Sequence, residues 1–309
     1  MNVETYQKTT ETLARSPHKL PTSGSSPCEL CGGGDSRVLY PALPLIRQCR
    51  ECGLIFHYPQ PSENELKELY GEDYFISKHS AESGYDNYLR DEENISRTAA
   101  KRLAYIEKYQ PDKGRLLEIG CATGFFLKTA LSRGWDCEGI EFSGFASAYA
   151  RSQGLKVMSG SVQDYTTENP FDVIALWDVI EHVPSPRKDL LKMRALLKPG
   201  GTLVLATPAV DSLTHYLYRD KWMGFKDVEH LYFFSRKTLS GLLQDCGFQV
   251  KKVKWEGKYI SLDLLKRRIG CYSKFLSNFL RKRIPAKYGK SINFYINSFD
   301  IQLVVAQKI

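Results

Sequence analysis

Long apolar runs are missing from this sequence, and so is an apolar N-terminus. No stretch approaches the roughly 20 consecutive apolar residues that a membrane-spanning helix needs. Residues 1–20 are polar and charged, whereas a secretory signal peptide has an apolar segment there. We therefore expect a cytoplasmic protein with reduced thiols. Its 309 residues, of which 42% are hydrophobic, suffice for one large domain and a small one.

Disulfide bonds are not expected in such a compartment, although the sequence has eight cysteines. Cys28 and Cys31 form one C-x2-C pair, and Cys49 and Cys52 form a second pair further along the chain. A glycine follows each pair, and this spacing is typical of a zinc ribbon. Four thiolates leave no open position on the metal, so we predict a structural zinc ion. The remaining cysteines show no pairing pattern and are interpreted as packing residues: Cys121, Cys137, Cys246 and Cys271.

The most informative segment is RLLEIGCATG, residues 115–124. A short apolar run that suits a buried strand ends at Ile119, a turn of small residues follows, and an apolar helical pattern begins at Phe125. Such a turn lets the backbone approach a ligand closely and directs free N–H groups at it. The dinucleotide-binding fingerprint G-x-G-x-x-G is absent, so the turn alone does not identify the ligand.

Two carboxylates near this turn are candidate ligand-binding groups. The second predicted strand, 136–141, is the next strand after the turn at Gly120, and it ends at Glu141. A carboxylate at that position can accept hydrogen bonds from both hydroxyls of a ribose. Glu118 lies within the first strand, where a buried carboxylate needs a partner or a ligand.

Four segments in this order resemble the class I S-adenosylmethionine-dependent methyltransferases, over roughly residues 85–309. The resemblance implies an α/β fold, with a Rossmann-like, seven-stranded, mostly parallel sheet whose final strand is antiparallel, and S-adenosylmethionine as cofactor. The sequence departs from many members at Ala122, where they have glycine. The four segments are LEIGCATG (117–124), GIEFS (139–143), FDVIALWDVIEHV (171–183) and LKPGGTLVLATP (197–208).

Ligands of such sheets bind at the carboxyl ends of the strands, which places the cofactor over the turn with its ribose at Glu141. The resemblance implies that Asp164 lies where adenine binds, although a solvated loop residue is an alternative. Trp177 either borders the methionine moiety or is a core aromatic residue. Tyr85 and Tyr88 either fold over the cofactor or pack on the first helix. The predicted cofactor-binding residues are Tyr88, Glu118, Gly120, Ala122, Gly124, Glu141, Asp164 and Trp177.

Composition and periodicity divide the chain into four parts. From residue 111 onwards strand and helix patterns alternate, which predicts a parallel sheet with helices on both faces. Predicted strands lie near 115–119, 136–140, 155–158, 171–176, 202–206, 248–256 and 299–307. The predicted parts are a disordered N-terminus (1–26), a zinc ribbon (27–58), a helical linker and lid (59–110) and a methyltransferase core (111–309) with a basic insertion (261–290).

A general base assists methyl transfer to a hydroxyl group or a carbon acid, and histidine suits that task near neutral pH. His182 follows the fourth strand, at the mouth of the expected pocket. The segment from Glu229 to Ser235 resembles a stretch of zinc-containing sugar C-methyltransferases, which implies His230 as base and Glu229 as its orienting carboxylate. It departs from that group at residues 227–228, where the group has an aromatic-His pair. A structural role for His182, an Asp or Tyr base, and no base at all remain alternatives.

Basic residues are concentrated in segment 261–290, which has nine Lys or Arg and one acidic residue, Asp263. Together with its apolar residues, this pattern permits a helix that lies on anionic lipid. It equally permits a helix that packs on the core with a solvated basic face. Nucleic-acid binding is the least supported interpretation, because no aromatic stacking platform or RNA-binding motif accompanies the segment.

These observations predict an S-adenosylmethionine-dependent methyltransferase that acts on a hydroxyl or carbon of a sugar or related small molecule, in glycan or natural-product biosynthesis. The expected partners are a small-molecule or saccharide acceptor and, through 261–290, a membrane surface. A quinone-type O-methyltransferase is the nearest alternative, because the segment from Glu181 to Pro184 is similar to that group as well. An RNA methyltransferase is a further alternative.

Overall fold

The computed structural model describes residues 27–62, 65–66, 88–226, 229–273, 279, 283 and 292–309. The predicted disordered N-terminus, Tyr85, most of the predicted lid and much of the basic insertion lie outside the described residues. Among the residues that are described, no helix combines the length and the apolar character that crossing a bilayer requires.

The N-terminal region forms a small antiparallel sheet that the core completes. Its strands are β1 (Ser36–Tyr40), β2 (Leu43–Cys49) and β3 (Ile55–His57), and a two-residue strand from the core, β9 (Tyr232–Phe233), pairs with β3. Two tight turns carry the cysteines, with backbone hydrogen bonds from Gly32 N to the Cys28 carbonyl and from Gly53 N to the Cys49 carbonyl. Both glycines have a positive φ, which other residues rarely adopt.

The core is an α/β unit with a seven-stranded sheet in the order β10-β11-β8-β7-β4-β5-β6. Its strands are β4 (Arg115–Ile119), β5 (Asp136–Glu141), β6 (Val157–Ser159), β7 (Phe171–Trp177), β8 (Leu197–Pro208), β10 (Phe248–Ser261) and β11 (Asn293–Lys308). The helices of the described residues are α1 (Glu92–Ile106), α2 (Phe125–Ser132), α3 (Gly144–Ser152), α4 (Pro186–Leu196), α5 (Leu213–Tyr218), α6 (Arg236–Asp245) and α7 (Leu262–Tyr272). The predicted Rossmann-like methyltransferase fold is confirmed.

Strand β4 is buried along almost its whole length because helices cover both faces of the sheet. Leu117 and Ile119 belong to a hydrophobic cluster that includes residues of α4 and α6. Leu116 points to the other side and belongs to a cluster that includes residues of α1 and α2. A short strand with hydrophobic residues on both faces belongs in the interior of a sheet. Strand β4 accordingly lies between β7 and β5.

The last strand is antiparallel and lies between two others, as the family resemblance implies. Strand β11 pairs antiparallel with both β8 and β10. The long hairpin of β10 and β11 carries helix α7 between its strands. Leu262 and Leu264 of α7 are buried, so the N-terminal part of the predicted basic insertion packs on the core.

Candidate functional site

The carboxyl ends of β4, β5 and β7 open into a large cavity of about 2050 Å³. The loops after these three strands form its floor, while α1, β10 and α7 contribute side chains to its walls. All predicted cofactor-binding and catalytic residues line this cavity except Gly124, which is the N-cap of α2. The topology thus brings together side chains that lie far apart in the sequence, from Tyr88 to His230.

The loop after β4 has the backbone conformation that its small residues predict. Gly120, Ala122 and Gly124 all have positive φ angles, of 69°, 48° and 84°. A Cβ atom on Gly120 would lie 2.5 Å from Cγ2 of Val179, and one on Gly124 would lie 2.2 Å from Cδ1 of Leu155. Glycine is therefore required at both positions for conformation and for space. Ala122 carries a Cβ atom in the same left-handed region, so its backbone is strained there.

Glu141 ends β5 and holds this loop in place. Its carboxylate accepts hydrogen bonds from the backbone N–H groups of Ala122 at 2.7 Å and of Ser143 at 2.8 Å. Burial raises the pKa of Glu141, although these backbone donors oppose the rise. A carboxylate fixed in this way offers its remaining lone pairs to the cavity, as binding of a diol requires.

The wall between β4 and β7 contains buried polar atoms that lack a hydrogen-bond partner within the described residues. They are Oε2 of Glu118 and Nε1 of Trp177. The guanidinium of Arg102 lies 4.3 Å from the centre of the Trp177 ring and forms an ion pair with Glu256 at 3.2 Å. Burial raises the pKa of Glu118 well above its usual value, and the positive charge of Arg102 opposes that rise.

These features fit S-adenosylmethionine. An acceptor and a donor that stay unpaired in a buried wall match an amino acid moiety, which presents an ammonium and a carboxylate. The carboxylate at Glu141 matches the ribose, and the glycine turn provides room for close approach. Two predicted residues lie at the periphery. Asp164 is exposed and its Oδ2 accepts hydrogen bonds from the backbone and hydroxyl of Ser161, and Tyr88 stacks on Phe125 with ring centres 5.8 Å apart.

The two candidate bases lie side by side in the cavity, where His230 is buried and His182 is partly buried. The rings of His182 and His230 are perpendicular, with centres 4.7 Å apart. Nδ1 of His182 lies 2.7 Å from the Glu229 carbonyl oxygen, and Nδ1 of His230 lies 2.9 Å from the Gly224 carbonyl oxygen. A carbonyl oxygen only accepts, so both Nδ1 atoms carry a proton, and in the neutral rings both Nε2 atoms are unprotonated.

The surroundings keep both rings neutral. Burial and the nearby ammonium of Lys226 lower the pKa of His182 to about 4. Burial, together with the proximity of His182, lowers the pKa of His230 well below its usual value. Both imidazoles are therefore proton acceptors at neutral pH.

Among the described contacts, Glu229 does not orient His230 as predicted. Its carboxylate accepts a hydrogen bond from Lys226 at 3.2 Å, its backbone carbonyl is bonded to Nδ1 of His182, and Nδ1 of His230 is bonded to the Gly224 carbonyl. The carboxylate beside the pair is Glu181, whose Oε1 lies 3.9 Å from Nε2 of His182 and whose Oε2 accepts from the Thr207 hydroxyl. Burial and Asp178 raise the pKa of Glu181 to about 8.

Sequence reasoning missed the polar side chains that reach the cavity from other elements. Lys258 of β10 forms a 2.5 Å ion pair with Asp178, at the end of β7, and Arg102 comes from α1. Glu181 could have been found, since it immediately precedes His182 at the mouth of the same strand. Ligand atoms of Glu181, His182 and His230 all lie within 4.8 Å of one another, so this trio could also hold a divalent cation.

The low pKa of His182 should make the stability of the protein depend on pH. The folded protein takes up this proton only near pH 4, whereas an unfolded chain takes it up at about 6.5, so the unfolded state binds more protons in between. The free energy of unfolding should therefore fall by on the order of 2 kcal/mol more in wild type than in His182→Asn between about pH 7 and about pH 5. Urea denaturation at both pH values measures this difference, and equal losses in the two proteins would contradict it.

The four cysteines of the N-terminal region form a site that fits zinc. Their sulfur atoms lie within 4.8 Å of one another, with distances of 3.5 Å from Cys28 to Cys52 and 3.6 Å from Cys31 to Cys49. A tetrahedron with metal–sulfur bonds of about 2.3 Å has edges of about 3.8 Å, which is close to both distances. Backbone N–H groups of Gly33 and Leu54 donate to two of the sulfur atoms, as is favourable for thiolates.

Comparisons with known proteins identify what this chain is similar to. A family described as "Methyltransferase domain" matches residues 90–253. An uncharacterized protein of Methanocaldococcus jannaschii is 27% identical over 166 residues, which are 53% of this chain and 77% of that protein. The ubiquinone biosynthesis O-methyltransferase of Xylella fastidiosa is 34% identical over 117 residues, so the match spans 34% of this chain and about half of that enzyme (47%). A solved S-adenosylmethionine-dependent methyltransferase of Archaeoglobus fulgidus has a TM-score of 0.47 and 18% identity, and the match covers 72% of this chain and 99% of that one.

Proposed function

This chain belongs to the methyltransferase domain family and is an S-adenosylmethionine-dependent methyltransferase, and we propose that its acceptor is a hydroxyl or acidic carbon of a saccharide. One observation carries the proposal of base-assisted transfer. Two neutral imidazoles with unprotonated Nε2 atoms, one buried and one partly buried, line the same cavity as the glycine turn and Glu141. An acceptor with a proton to lose needs such a group, whereas an acceptor that is already a free nucleophile does not.

The proposal assigns a role to several residues of the cavity. When bound, S-adenosylmethionine supplies an activated methyl group on a sulfonium centre. Glu141 binds the ribose, while Glu118 and Trp177 bind the amino acid moiety through the buried atoms that lack partners within the described residues. The apolar walls exclude water and hold the acceptor in line with the methyl group, where positioning supplies much of the rate enhancement.

His230 removes the acceptor proton through Nε2 in this scheme. The Gly224 carbonyl fixes its ring by accepting from Nδ1, so Nε2 faces away from that carbonyl. His182 lies beside it, with its Nδ1 proton on the Glu229 carbonyl. The low pKa of both rings means that each is unprotonated before the transfer and gives up the acceptor proton readily afterwards.

A phenolic hydroxyl of a quinone precursor is the second candidate acceptor. It is favoured by the identity of 34% to the Xylella fastidiosa enzyme, whose printed name is ubiquinone biosynthesis O-methyltransferase. It would need the same base, because a phenol with a pKa of about 10 is largely protonated at neutral pH. The two candidates therefore differ in the acceptor and share the cofactor site and the histidine pair.

Acceptor panels distinguish the two candidates. The enzyme is incubated with the acceptors and with S-adenosylmethionine that carries a labelled methyl group. We expect one labelled methyl group on a nucleotide-linked or lipid-linked sugar, and mass spectrometry detects the methylated product. Boiled enzyme is the background control. A labelled product from phenolic quinone precursors alone would replace the saccharide proposal, and no labelled product from either panel would contradict both.

We also propose that the protein contacts anionic membrane surfaces through α5 and α7. Leu213, Tyr216 and Leu217 of α5 are 62%, 78% and 62% exposed. Tyr218 stacks on Tyr272 of α7 with ring centres 3.7 Å apart, and the exposed basic residues beside this apolar face are Arg219 and Lys221, which lie just after α5. Exposed apolar residues beside basic ones are typical of a surface that inserts shallowly among anionic lipids.

Vesicle binding tests this surface. The protein should co-sediment with phosphatidylglycerol vesicles and not with phosphatidylcholine vesicles, because charge attraction adds to apolar insertion. Leu217→Glu should abolish the co-sedimentation. The matched control is Leu191→Glu, since Leu191 is 48% exposed on α4 and lies outside the apolar face. Equal binding of both variants would contradict the proposal.

A further inference from the structure

We propose that the zinc ribbon is a positioning element of the catalytic site, because its third strand, β3, holds the segments that carry His182 and His230. This inference rests on the proposed function of the two histidines. It goes beyond a purely structural zinc ion, since it ties the metal to one part of the active site and not to the other.

A chain of backbone hydrogen bonds connects the ribbon to both histidines. The N–H of His57, at the end of β3, donates to the carbonyl of Leu231 at 2.8 Å. The N–H groups of Leu231 and Tyr232 both donate to the carbonyl of Glu181, at 2.8 and 3.1 Å. Leu231 directly follows His230, and Glu181 directly precedes His182. The edge of the ribbon sheet therefore fixes the backbone next to each histidine.

Side chains add two further connections. The Tyr232 hydroxyl donates to the Pro184 carbonyl at 2.9 Å, so β9 is bonded to the loop that follows His182. Arg187, at the start of α4, donates to the carbonyls of Glu29 and Leu30, at 3.1 and 2.7 Å. Both acceptors lie between the first two cysteines. The cysteine turn thus holds the far end of the same loop.

The ribbon also packs on the core. Cys28, Cys49, Leu54 and Phe56 belong to the hydrophobic cluster that contains Ile180, Leu231 and Tyr232. The same cluster includes Ile119 of β4 and Ile140 of β5, so the hydrogen bonds, and not the packing, distinguish the histidine segments from the cofactor side. A cysteine turn that opens would remove contacts from residues adjacent to both histidines. With three strands and few buried residues of its own, the ribbon needs the metal to keep this face ordered.

The cofactor side of the cavity is built differently. Gly120, Glu141 and Trp177 lie at the ends of β4, β5 and β7, which pair with one another in the large sheet. None of these three strands pairs with a strand of the ribbon within the described residues. Loss of the metal should therefore loosen the histidine pair and leave cofactor binding intact. A ribbon that serves only global stability would affect both equally.

The experiment compares Cys31→Ser with Cys271→Ser. Both cysteines are exposed, and Cys271 lies in α7, where it lines the wall of the cavity and is not part of the ribbon. Metal analysis should find one zinc ion per chain in Cys271→Ser and in wild type, and none in Cys31→Ser. Calorimetry should find the same affinity for S-adenosylmethionine in all three proteins.

Chemical accessibility reports on the histidines without any acceptor. Diethyl pyrocarbonate modifies accessible neutral imidazoles, and peptide mass spectrometry locates the modified residue. Because both rings are largely enclosed, His182 and His230 should react slowly in wild type and in Cys271→Ser, and at least about tenfold faster in Cys31→Ser because the segment opens locally. Failure of the acceptor panels would refute the proposed function and leave this result intact, so the two failures are distinguishable.

A milder variant keeps the test decisive where Cys31→Ser fails to fold. Tyr232→Phe removes the hydroxyl that bonds to the Pro184 carbonyl and to the Gln60 side chain, and it retains all four cysteines. It should keep its zinc and its cofactor affinity and show faster modification of His182. Protection of both histidines in a zinc-free protein that binds S-adenosylmethionine, or parallel loss of protection and of cofactor binding, would overturn the inference.

Discussion

Replacement of His230 by alanine is expected to lower turnover by about 10²–10⁴-fold while the affinity for S-adenosylmethionine stays unchanged. The ring is buried, its Nδ1 proton is held by the Gly224 carbonyl, and its low pKa keeps Nε2 unprotonated at neutral pH. Its ring centre lies 4.7 Å from that of His182, and both rings line the cavity that the glycine turn borders. The loss should therefore appear in kcat, with calorimetry to confirm that the cofactor still binds.

The matched variant is His230→Asn, which separates proton transfer from packing. An asparagine amide can still donate to the Gly224 carbonyl but has no basic nitrogen. It should be as slow as the alanine variant if His230 is the base. Recovery of turnover in His230→Asn would instead mean that the ring is structural.

His182→Ala completes the comparison between the two rings. If they act as one unit, the double variant should be little slower than the slower single variant, because the effects of cooperating residues are not additive. Near-normal turnover in His230→Ala together with a large loss in His182→Ala would transfer the role of base to His182.

The central part of the fold is predictable from the sequence because local pattern and tertiary environment agree there. A short buried strand that is followed by Gly120 is expected inside a sheet whose two faces are both covered by helices. The steric reason for the glycines is equally local, because a positive φ depends on one residue and its immediate neighbours. The positions of Glu141 and Trp177 follow from the parallel strands, whose carboxyl ends meet at one edge.

The chemistry around the histidine pair depends on contacts between distant segments, which periodicity does not encode. The pattern near His230 cannot show that the carboxylate of Glu229 turns to Lys226, because a rotation about one side chain decides it. Nor does any sequence feature mark Tyr232 and Phe233 as a strand. They become a strand only because the edge of the ribbon, from a much earlier part of the chain, offers backbone partners.

Glu141→Ala is expected to weaken S-adenosylmethionine binding by about 1–3 kcal/mol, which is about 5- to 150-fold in the dissociation constant. The carboxylate is the proposed acceptor for both ribose hydroxyls, and it also accepts from the N–H groups of Ala122 and Ser143. Its removal leaves the hydroxyls and two backbone donors without acceptors in a buried site. Calorimetric titration with the cofactor measures the change.

The matched control is Asp136→Ala, at the other end of the same strand. Asp136 forms ion pairs with Arg115 at 3.5 Å and Lys156 at 3.7 Å, and 54% of its side chain is exposed. Exposed pairs of this kind contribute little to stability, and the residue lies away from the cavity, so cofactor affinity should not change. The cofactor affinity of Glu141→Gln should lie between those of the other two variants. Its amide oxygen can accept a hydrogen bond from one N–H group, whereas its amide N–H group repels the other. Unchanged cofactor affinity in Glu141→Ala would mean that the ribose does not bind at the end of β5 and that another residue binds the nucleoside.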